Sequence, residues 1–128
     1  MNKQRKNRVE QLKKSLKTKI LLLDGAMGTS LQAENLSAED FGGTELEGCN
    51  ENLLYTRPDV IQKVHEDYLA AGADIIETNS FGSTALVLAE YNLQDKAYEI
   101  NKLAAEIARN AAKKFSTDEW PRFVAGSI

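Results

Sequence analysis

Short runs of consecutive apolar residues alternate along the chain with longer segments in which apolar residues recur at helical spacing. The first run, residues 20–23, leads directly into a polar, glycine-containing stretch over residues 24–29. A second run lies in the segment that begins at residue 73 and becomes polar at residues 77–79. A third run begins at residue 123. Consecutive apolar residues are typical of strands buried on both faces, as in a parallel sheet. The pattern therefore predicts three buried strands.

The segment over residues 57–71 predicts a helix, because its apolar side chains recur on one face. Thr56, Pro58 and Asp59 form a start that resembles a capping box, with proline in the first turn. Gly72 suits the left-handed position that follows a helix end. The expected helix thus has a defined beginning and a defined end.

Two more helices are expected, a short one over residues 84–90 and a longer one over residues 95–115 with an alanine-rich stripe. The order strand, helix, strand, helices, strand indicates right-handed crossovers and a parallel α/β sheet. Three strands fit an incomplete barrel or a small open sheet, and the pattern favours the barrel only slightly. The polar residues 33–55 are expected to form a long functional loop over the end of the sheet that carries Asp24.

Charge divides the chain into two parts. Residues 1–19 carry eight basic side chains and one acidic one, whereas the remainder carries eight basic and eighteen acidic side chains. The acidic remainder argues against a nucleic-acid-binding surface there. Val9, Leu12 and Leu16 form one helical stripe. Residues 1–18 are therefore interpreted as a basic amphipathic helix packed on the bottom of the domain, with a nucleic-acid arm or a targeting peptide as alternatives.

Two residue types limit the chemistry, since the chain has one cysteine, Cys49, and one histidine, His65. No internal disulfide can form, which fits a reducing, cytoplasmic compartment. A Cys/His zinc site needs three or four ligands, so these two residues do not suffice. Cys49 is interpreted as a small packing residue, and His65 as a surface or packing residue of its charged helix. No stretch approaches the ~20 apolar residues of a membrane span.

Polar residues follow the first two strands at the edge of the sheet where parallel α/β folds bind ligands. Asp24 ends the first strand, and its carboxylate can hold a substrate ammonium group while the turn amides bind a carboxylate. The alternative is a tight turn in which Asp24 caps the next element. Asn79 and the backbone near Phe81 and Gly82 either line the same pocket or only satisfy loop amides and packing. The turn lacks the lysine and glycine spacing of phosphate-binding loops.

Five ordered blocks carry a family resemblance: DGAMGT at 24–29, GCNENL at 48–53, TRPDVI at 56–61, GADIIETNSFG at 72–82 and VAGSI at 124–128. In order and spacing they resemble the start of the homocysteine-binding domain of cobalamin-dependent methionine synthases, within the homocysteine S-methyltransferase family. The resemblance covers residues 19–128, nearly everything except the basic leader. It implies a (β/α)8 TIM-type barrel, with only about the first three βα units in this chain. Because the third strand is followed by only three residues, the chain is expected to be part of a larger protein.

The resemblance implies that the full-length protein transfers a methyl group from methylcobalamin, recharged by methyltetrahydrofolate, to the zinc-activated thiolate of homocysteine. The family's three zinc-binding cysteines lie on later strands, and Cys49 matches none of them. This chain is therefore expected to be inactive alone, with no catalytic residue, bound zinc or cobalamin, and no nucleic-acid or membrane partner. Its share of the homocysteine site falls on Asp24, Gly25, Ala26, Thr78, Asn79, Phe81 and Gly82.

Two alternatives stay open. One is a cobalamin-independent homocysteine S-methyltransferase, and the other is a non-catalytic binding module that uses the same strand ends. Later cysteines in the same gene, followed by folate-binding and cobalamin-binding modules, would select the methionine synthase.

Overall fold

Helices dominate the computed structural model, which describes residues 3–127. Met1, Asn2 and Ile128, which belong to the predicted leader and to the last block of the resemblance, lie outside the described residues. Short 3-10 turns lie at Thr44–Leu46, Asn50–Asn52, Ala89–Tyr91 and Gln94–Lys96. The remaining elements are α1 (Lys3–Thr18), α2 (Met27–Ala33), α3 (Ala38–Phe41), α4 (Leu53–Thr56), α5 (Pro58–Ala71), β1 (Ile75–Glu77), α6 (Ala85–Leu88), α7 (Ala97–Phe115) and β2 (Phe123–Ala125).

The sheet is parallel and follows the order of the chain. Strands β1 and β2 pair with Ile75 opposite Phe123. On the other side of β1, the Asp24 N–H donates to the Ile75 carbonyl at 2.9 Å, and the Ile75 N–H donates to the Leu22 carbonyl at 3.1 Å. The predicted parallel α/β arrangement is confirmed at this level. Residues 3–127 form this short sheet and its helices rather than a closed barrel.

The predicted first strand is wrong in its extent and its burial. Only Leu23 forms a bridge, opposite Ile75. Ile20 is 87% exposed, and both Leu22 and Leu23 are more than half exposed. The segment lies at the edge of the sheet and pairs with β1 alone, so within the described part of the chain its apolar side chains face solvent.

Helices α5 and α7 pack together and cover the sheet. Their positions confirm the two long helices that the apolar stripes predict. Helix α5 ends at Gly72, which has the expected left-handed backbone with a φ of 112°. The small residues Ala108 and Ala111 of α7 pack with Leu69 and Ile76 in one buried cluster. Side chains of this size allow a helix to approach its neighbours closely.

The predicted capping box at the start of α5 is wrong. The N-cap is Arg57, and it makes no side-chain capping bond. Thr56 instead ends α4, and its hydroxyl donates to the Asn52 carbonyl at 3.3 Å. A capping side chain needs an extended backbone, which a residue inside the preceding helix does not have. Arg57 pairs with Asp40 and Asp59 at 2.6 and 2.8 Å.

Residues 33–55 do not form the long polar loop that their composition predicts. They contain α3, two 3-10 turns and the start of α4. A capping box between Ser37 and Asp40 starts α3, and Phe41, Cys49 and Leu53 are buried in the core. The interpretation of Cys49 as a packing residue is confirmed.

His65 is fully buried on α5, although it stands among charged residues in the sequence. The buried residues of α5 form a broad face that includes Ile61, Val64 and Leu69. One helical turn separates His65 from both Ile61 and Leu69, so it shares their side of the helix. The sequence leaves open whether His65 is a surface or a packing residue, and the structure shows that it is a packing residue.

Helix α1 is basic and has no buried residue. It contacts the body of the protein through Arg8, which donates to the Arg122 carbonyl and lies over the Phe123 ring, 4.8 Å from its centroid. Phe123 begins β2, so this contact lies at the opposite end of the sheet from the predicted site. No helix in residues 3–127 is long and apolar enough to span a bilayer.

Candidate functional site

The candidate site is built around Asp24, which follows the bridge between Leu23 and Ile75. Its Oδ2 accepts the Glu77 N–H at 3.0 Å. The backbone hydrogen bonds between the first segment and β1 end at the Asp24 N–H. The bond from Glu77 extends this pairing by one step through the Asp24 side chain. The Asp24 carboxylate is therefore fixed at the carboxyl ends of two neighbouring parallel segments, as the sequence predicts.

The second oxygen of this carboxylate lacks a hydrogen-bond partner in the part of the chain that the structure describes. Asp24 Oδ1 is buried and accepts no hydrogen bond from residues 3–127. Burial raises the pKa of Asp24 to about 6, and the nearby Glu77 carboxylate adds to this rise, while the Glu77 N–H opposes it. A buried carboxylate oxygen without a donor is costly. A cationic group placed at Oδ1 would remove that cost.

Gly25 and Ala26 are held next to Tyr68 of α5. A Cβ on Gly25 would lie 2.8 Å from the Tyr68 hydroxyl oxygen, so a larger residue here would have to displace the Tyr68 ring. The Tyr68 hydroxyl donates to the Ala26 carbonyl at 3.3 Å and lies 3.3 Å from Ser30 Oγ. The Gly25 N–H donates to no acceptor within the described residues. Gly25 thus has a packing role and an amide that remains available to a ligand.

The second half of the predicted site is a turn that follows β1. The Thr78 hydroxyl lies 2.6 Å from the Ser80 hydroxyl, and the Asn79 amide nitrogen donates to the Asn50 carbonyl at 2.9 Å. Both Thr78 and Asn79 are buried. Their side chains hold the turn in place, as in the alternative in which they only satisfy loop groups. Phe81 is 93% exposed and does not pack in the core.

Gly82 is bound by Glu51, which is not among the predicted site residues. Its N–H donates to Glu51 Oε1 at 2.7 Å. The structure thus brings Asp24 next to Glu77 and the start of the turn, and it fastens the turn from Asn50 and Glu51. The motif containing Glu51 was visible, but its contact spans 31 positions, and neither spacing nor periodicity indicates it.

The described residues do not fit a zinc site. No three His, Cys, Asp or Glu side chains within residues 3–127 converge to hold a metal ion. Burial raises the pKa of the Cys49 thiol, which keeps it in the protonated form that binds metals poorly. No step through zinc is derived for these residues.

Sequence comparisons identify relatives of this chain. A sequence model of the family described as homocysteine S-methyltransferase matches residues 21–128. The methionine synthase of Mycobacterium leprae (strain TN) is 43% identical over 117 residues, which cover 91% of this chain and 10% of that protein. The chain thus spans about a tenth of the length of this curated relative.

Solved structures give the same relationship. The metallated form of the homocysteine methyltransferase MmuM from Escherichia coli matches with a TM-score of 0.74 and 29% identity, covering 91% of this chain and 40% of that one. Its oxidized form matches with a TM-score of 0.72 and 30% identity, covering 88% and 38%. The matched family model includes Asp24 and the whole turn after β1. The chain belongs to the homocysteine S-methyltransferase family, a family of methyltransferases.

Proposed function

We propose that this chain supplies the ammonium-binding part of a homocysteine site. The observation that carries the proposal is the buried Oδ1 of Asp24, to which no group of residues 3–127 donates, at the end of the sheet where parallel folds bind ligands. The ammonium group of homocysteine would donate to Oδ1, which is covered in this structure and would be uncovered on binding, while Oδ2 keeps its bond to the Glu77 N–H. A charge-assisted bond of this kind is stronger than a neutral one.

The carboxylate of homocysteine is assigned to backbone amides that follow the two neighbouring strand ends. The N–H groups of Gly25 and Phe81 have no acceptor within residues 3–127 and are the proposed donors. Thr78 and Asn79 shape this wall through their buried bonds. Ala26 and Gly82 complete it as small residues that let the ligand approach the backbone.

The complete protein is proposed to be a cytoplasmic methionine synthase with a (β/α)8 barrel. The 43% identity to a methionine synthase supports this assignment. In it, zinc would activate the homocysteine thiol, and methylcobalamin, recharged by methyltetrahydrofolate, would supply the methyl group. Both groups would be held outside this chain, which is proposed to be inactive alone. A second candidate is a homocysteine methyltransferase that does not use cobalamin, and the similarity to the homocysteine methyltransferase MmuM supports methyl transfer to homocysteine for both candidates.

Calorimetric titration with homocysteine tests the site in the complete gene product. Wild-type protein and the control Asp118→Asn, which changes an exposed carboxylate, should bind equally, and Asp24→Asn should bind more weakly. Equal binding by all three proteins would overturn the site. Methyl transfer that requires methylcobalamin selects the methionine synthase, whereas transfer from a small donor such as betaine in cobalamin-free protein selects the second candidate.

A further inference from the structure

One carboxylate from a distant part of the chain accepts a hydrogen bond from the turn after β1. This turn closes through the Ser83 N–H, which donates to the Ser80 carbonyl at 3.1 Å. Its third residue, Gly82, donates to Glu51 Oε1 at 2.7 Å. The bond joins the turn to the 3-10 turn Asn50–Asn52, which the family resemblance and the proposed site leave without a role.

Glu51 and Gly82 fit each other sterically. A Cβ on Gly82 would lie 2.6 Å from Glu51 Oε1 and 3.1 Å from its Cδ. Gly82 is not among the glycines with positive φ, so its backbone conformation is open to other residues. A side chain at this position would therefore have to displace the Glu51 carboxylate from the Gly82 amide, although the shape of the turn itself allows one.

The 3-10 turn that carries Glu51 is itself anchored in the core. Cys49 before it and Asn52 at its end are both buried. The Asn52 amide nitrogen donates to the Phe41 carbonyl at 2.6 Å, and the Asn50 carbonyl accepts from the Asn79 side chain at 2.9 Å. The backbone that carries Glu51 is thus held in place by the core. Together, Glu51 and Asn50 bind the turn after β1 at two points.

We propose that Glu51 is a positioning residue for the homocysteine site. Its carboxylate holds the Gly82 amide, and through it the Phe81 amide, at a fixed place relative to Asp24. The proposal rests on the proposed function, since it assigns to Glu51 the placement of the turn that would meet the substrate. Glu51 does not contact the substrate in this proposal.

Hydrogen exchange measures the contact directly in the complete gene product. Glu51→Ala should speed exchange of the Gly82 amide about tenfold, as expected for losing a bond to a charged acceptor. Glu51→Gln keeps an acceptor oxygen and should restore most of the protection. The matched control is Glu47→Gln, an exposed carboxylate of the same segment, and it should change nothing. Exchange at Gly82 that does not respond to Glu51→Ala would overturn the proposal.

Kinetics separate positioning from a merely structural role. Glu51→Ala should raise the KM for homocysteine about tenfold with little change in kcat, because binding that is lost equally in the ground and transition states appears in KM. Gly82→Ala should raise KM similarly in the wild-type background. It should add little to Glu51→Ala, where the clashing carboxylate is absent.

Three outcomes show whether this proposal, the proposed function or both fail. If Asp24→Asn weakens homocysteine binding while Glu51→Ala leaves KM unchanged, the positioning role is overturned and the proposed function stands. If wild-type protein does not bind homocysteine, both are overturned. If Glu51→Ala lowers the thermal stability, Glu51→Gln does not restore it and KM is unchanged, the positioning role alone is overturned. That result would show that Glu51 only stabilises the fold.

Discussion

The indole N–H of Trp120 donates to Asp74 Oδ1 at 2.8 Å and joins the segment before β2 to the start of β1. The same oxygen accepts from Lys19 Nζ at 2.6 Å, and Oδ2 accepts the Leu22 N–H at 3.0 Å. Asp74 thus ties together the three parallel segments at the end of the sheet opposite Asp24. Burial alone would raise the pKa of Asp74, but these hydrogen bonds hold it below its ordinary value.

Asp74→Asn should therefore destabilise the fold. Its side chain would turn an NH2 group towards one of three donors, and a bond to a charged acceptor is worth about 1.5–3 kcal/mol. The lowered pKa means that this contribution is present above the ordinary pKa of aspartate and is lost as the pH falls through the folded value. Urea unfolding followed by circular dichroism measures the change, with Asp118→Asn as the exposed control. An unchanged midpoint would contradict the role of Asp74.

Asp24→Asn should weaken homocysteine binding by about 1–3 kcal/mol, the range for a lost charge-assisted bond. The zinc content of the complete protein should stay the same, because the described residues provide no metal site. The pKa of Asp24, raised to about 6 by burial, also sets a pH dependence. Below that pH the free carboxyl is protonated, so the apparent affinity for homocysteine should fall as the pH drops from 7 to 5. An unchanged KM in this variant would remove Asp24 from the site.

The chain shows which parts of a fold its sequence predicts. Helix α5 and its end at Gly72 were predicted because a repeated apolar face and a left-handed glycine are local signals. The position of Asp24 was predicted because a strand end is also local. The burial of His65 was not resolved, since its charged neighbours on the helix face solvent while it turns to the core.

The sequence does not predict contacts between distant segments, because each of these contacts depends on how other parts of the chain fold. The bond between Glu51 and Gly82 depends on how residues 33–55 fold, and their polar composition indicated a loop. The exposure of residues 20–23 depends on what lies beside the strand. An apolar run predicts a strand that can be covered, but it carries no information about the neighbour that covers it.

His65 should make the fold sensitive to acid. Both of its ring nitrogens are buried without a partner among residues 3–127, and burial lowers its pKa from 6.5 to about 4. In the unfolded chain His65 therefore takes up a proton near pH 6.5, whereas in the folded chain it does so only near pH 4. Stability should fall across that window by up to about 3 kcal/mol.

The contribution of His65 is isolated by comparing wild-type protein with His65→Leu in urea unfolding between pH 7 and pH 4. Asp24 contributes more stability as the pH falls, because its pKa is raised in the folded state. It is present in both proteins, so its contribution cancels in the comparison. The difference between the two curves therefore reports His65. A difference that is constant with pH would show that His65 is hydrated or hydrogen-bonded in solution.

Cys49 should not take part in metal chemistry. In the complete protein, Cys49→Ser should retain its full zinc content and near-normal turnover. The buried serine hydroxyl should cost about 1–3 kcal/mol of stability, because Cys49 is 1% exposed and taking a hydroxyl out of water is unfavourable. Metal analysis of the purified variant and of Cys49→Ala checks this. The loss of one equivalent of zinc from both variants would make Cys49 a ligand.

The 128-residue chain should self-associate through the edge formed by residues 20–23. An exposed edge with apolar side chains offers unpaired backbone groups and a surface that favours burial. Leu22→Lys places a charge on this edge and should shift the chain towards monomer in sedimentation velocity at micromolar concentration. The control is Leu86→Lys on α6, which changes an equally apolar residue that is 85% exposed away from the edge. If Leu86→Lys dissociates the chain and Leu22→Lys does not, association runs through α6 rather than through the edge.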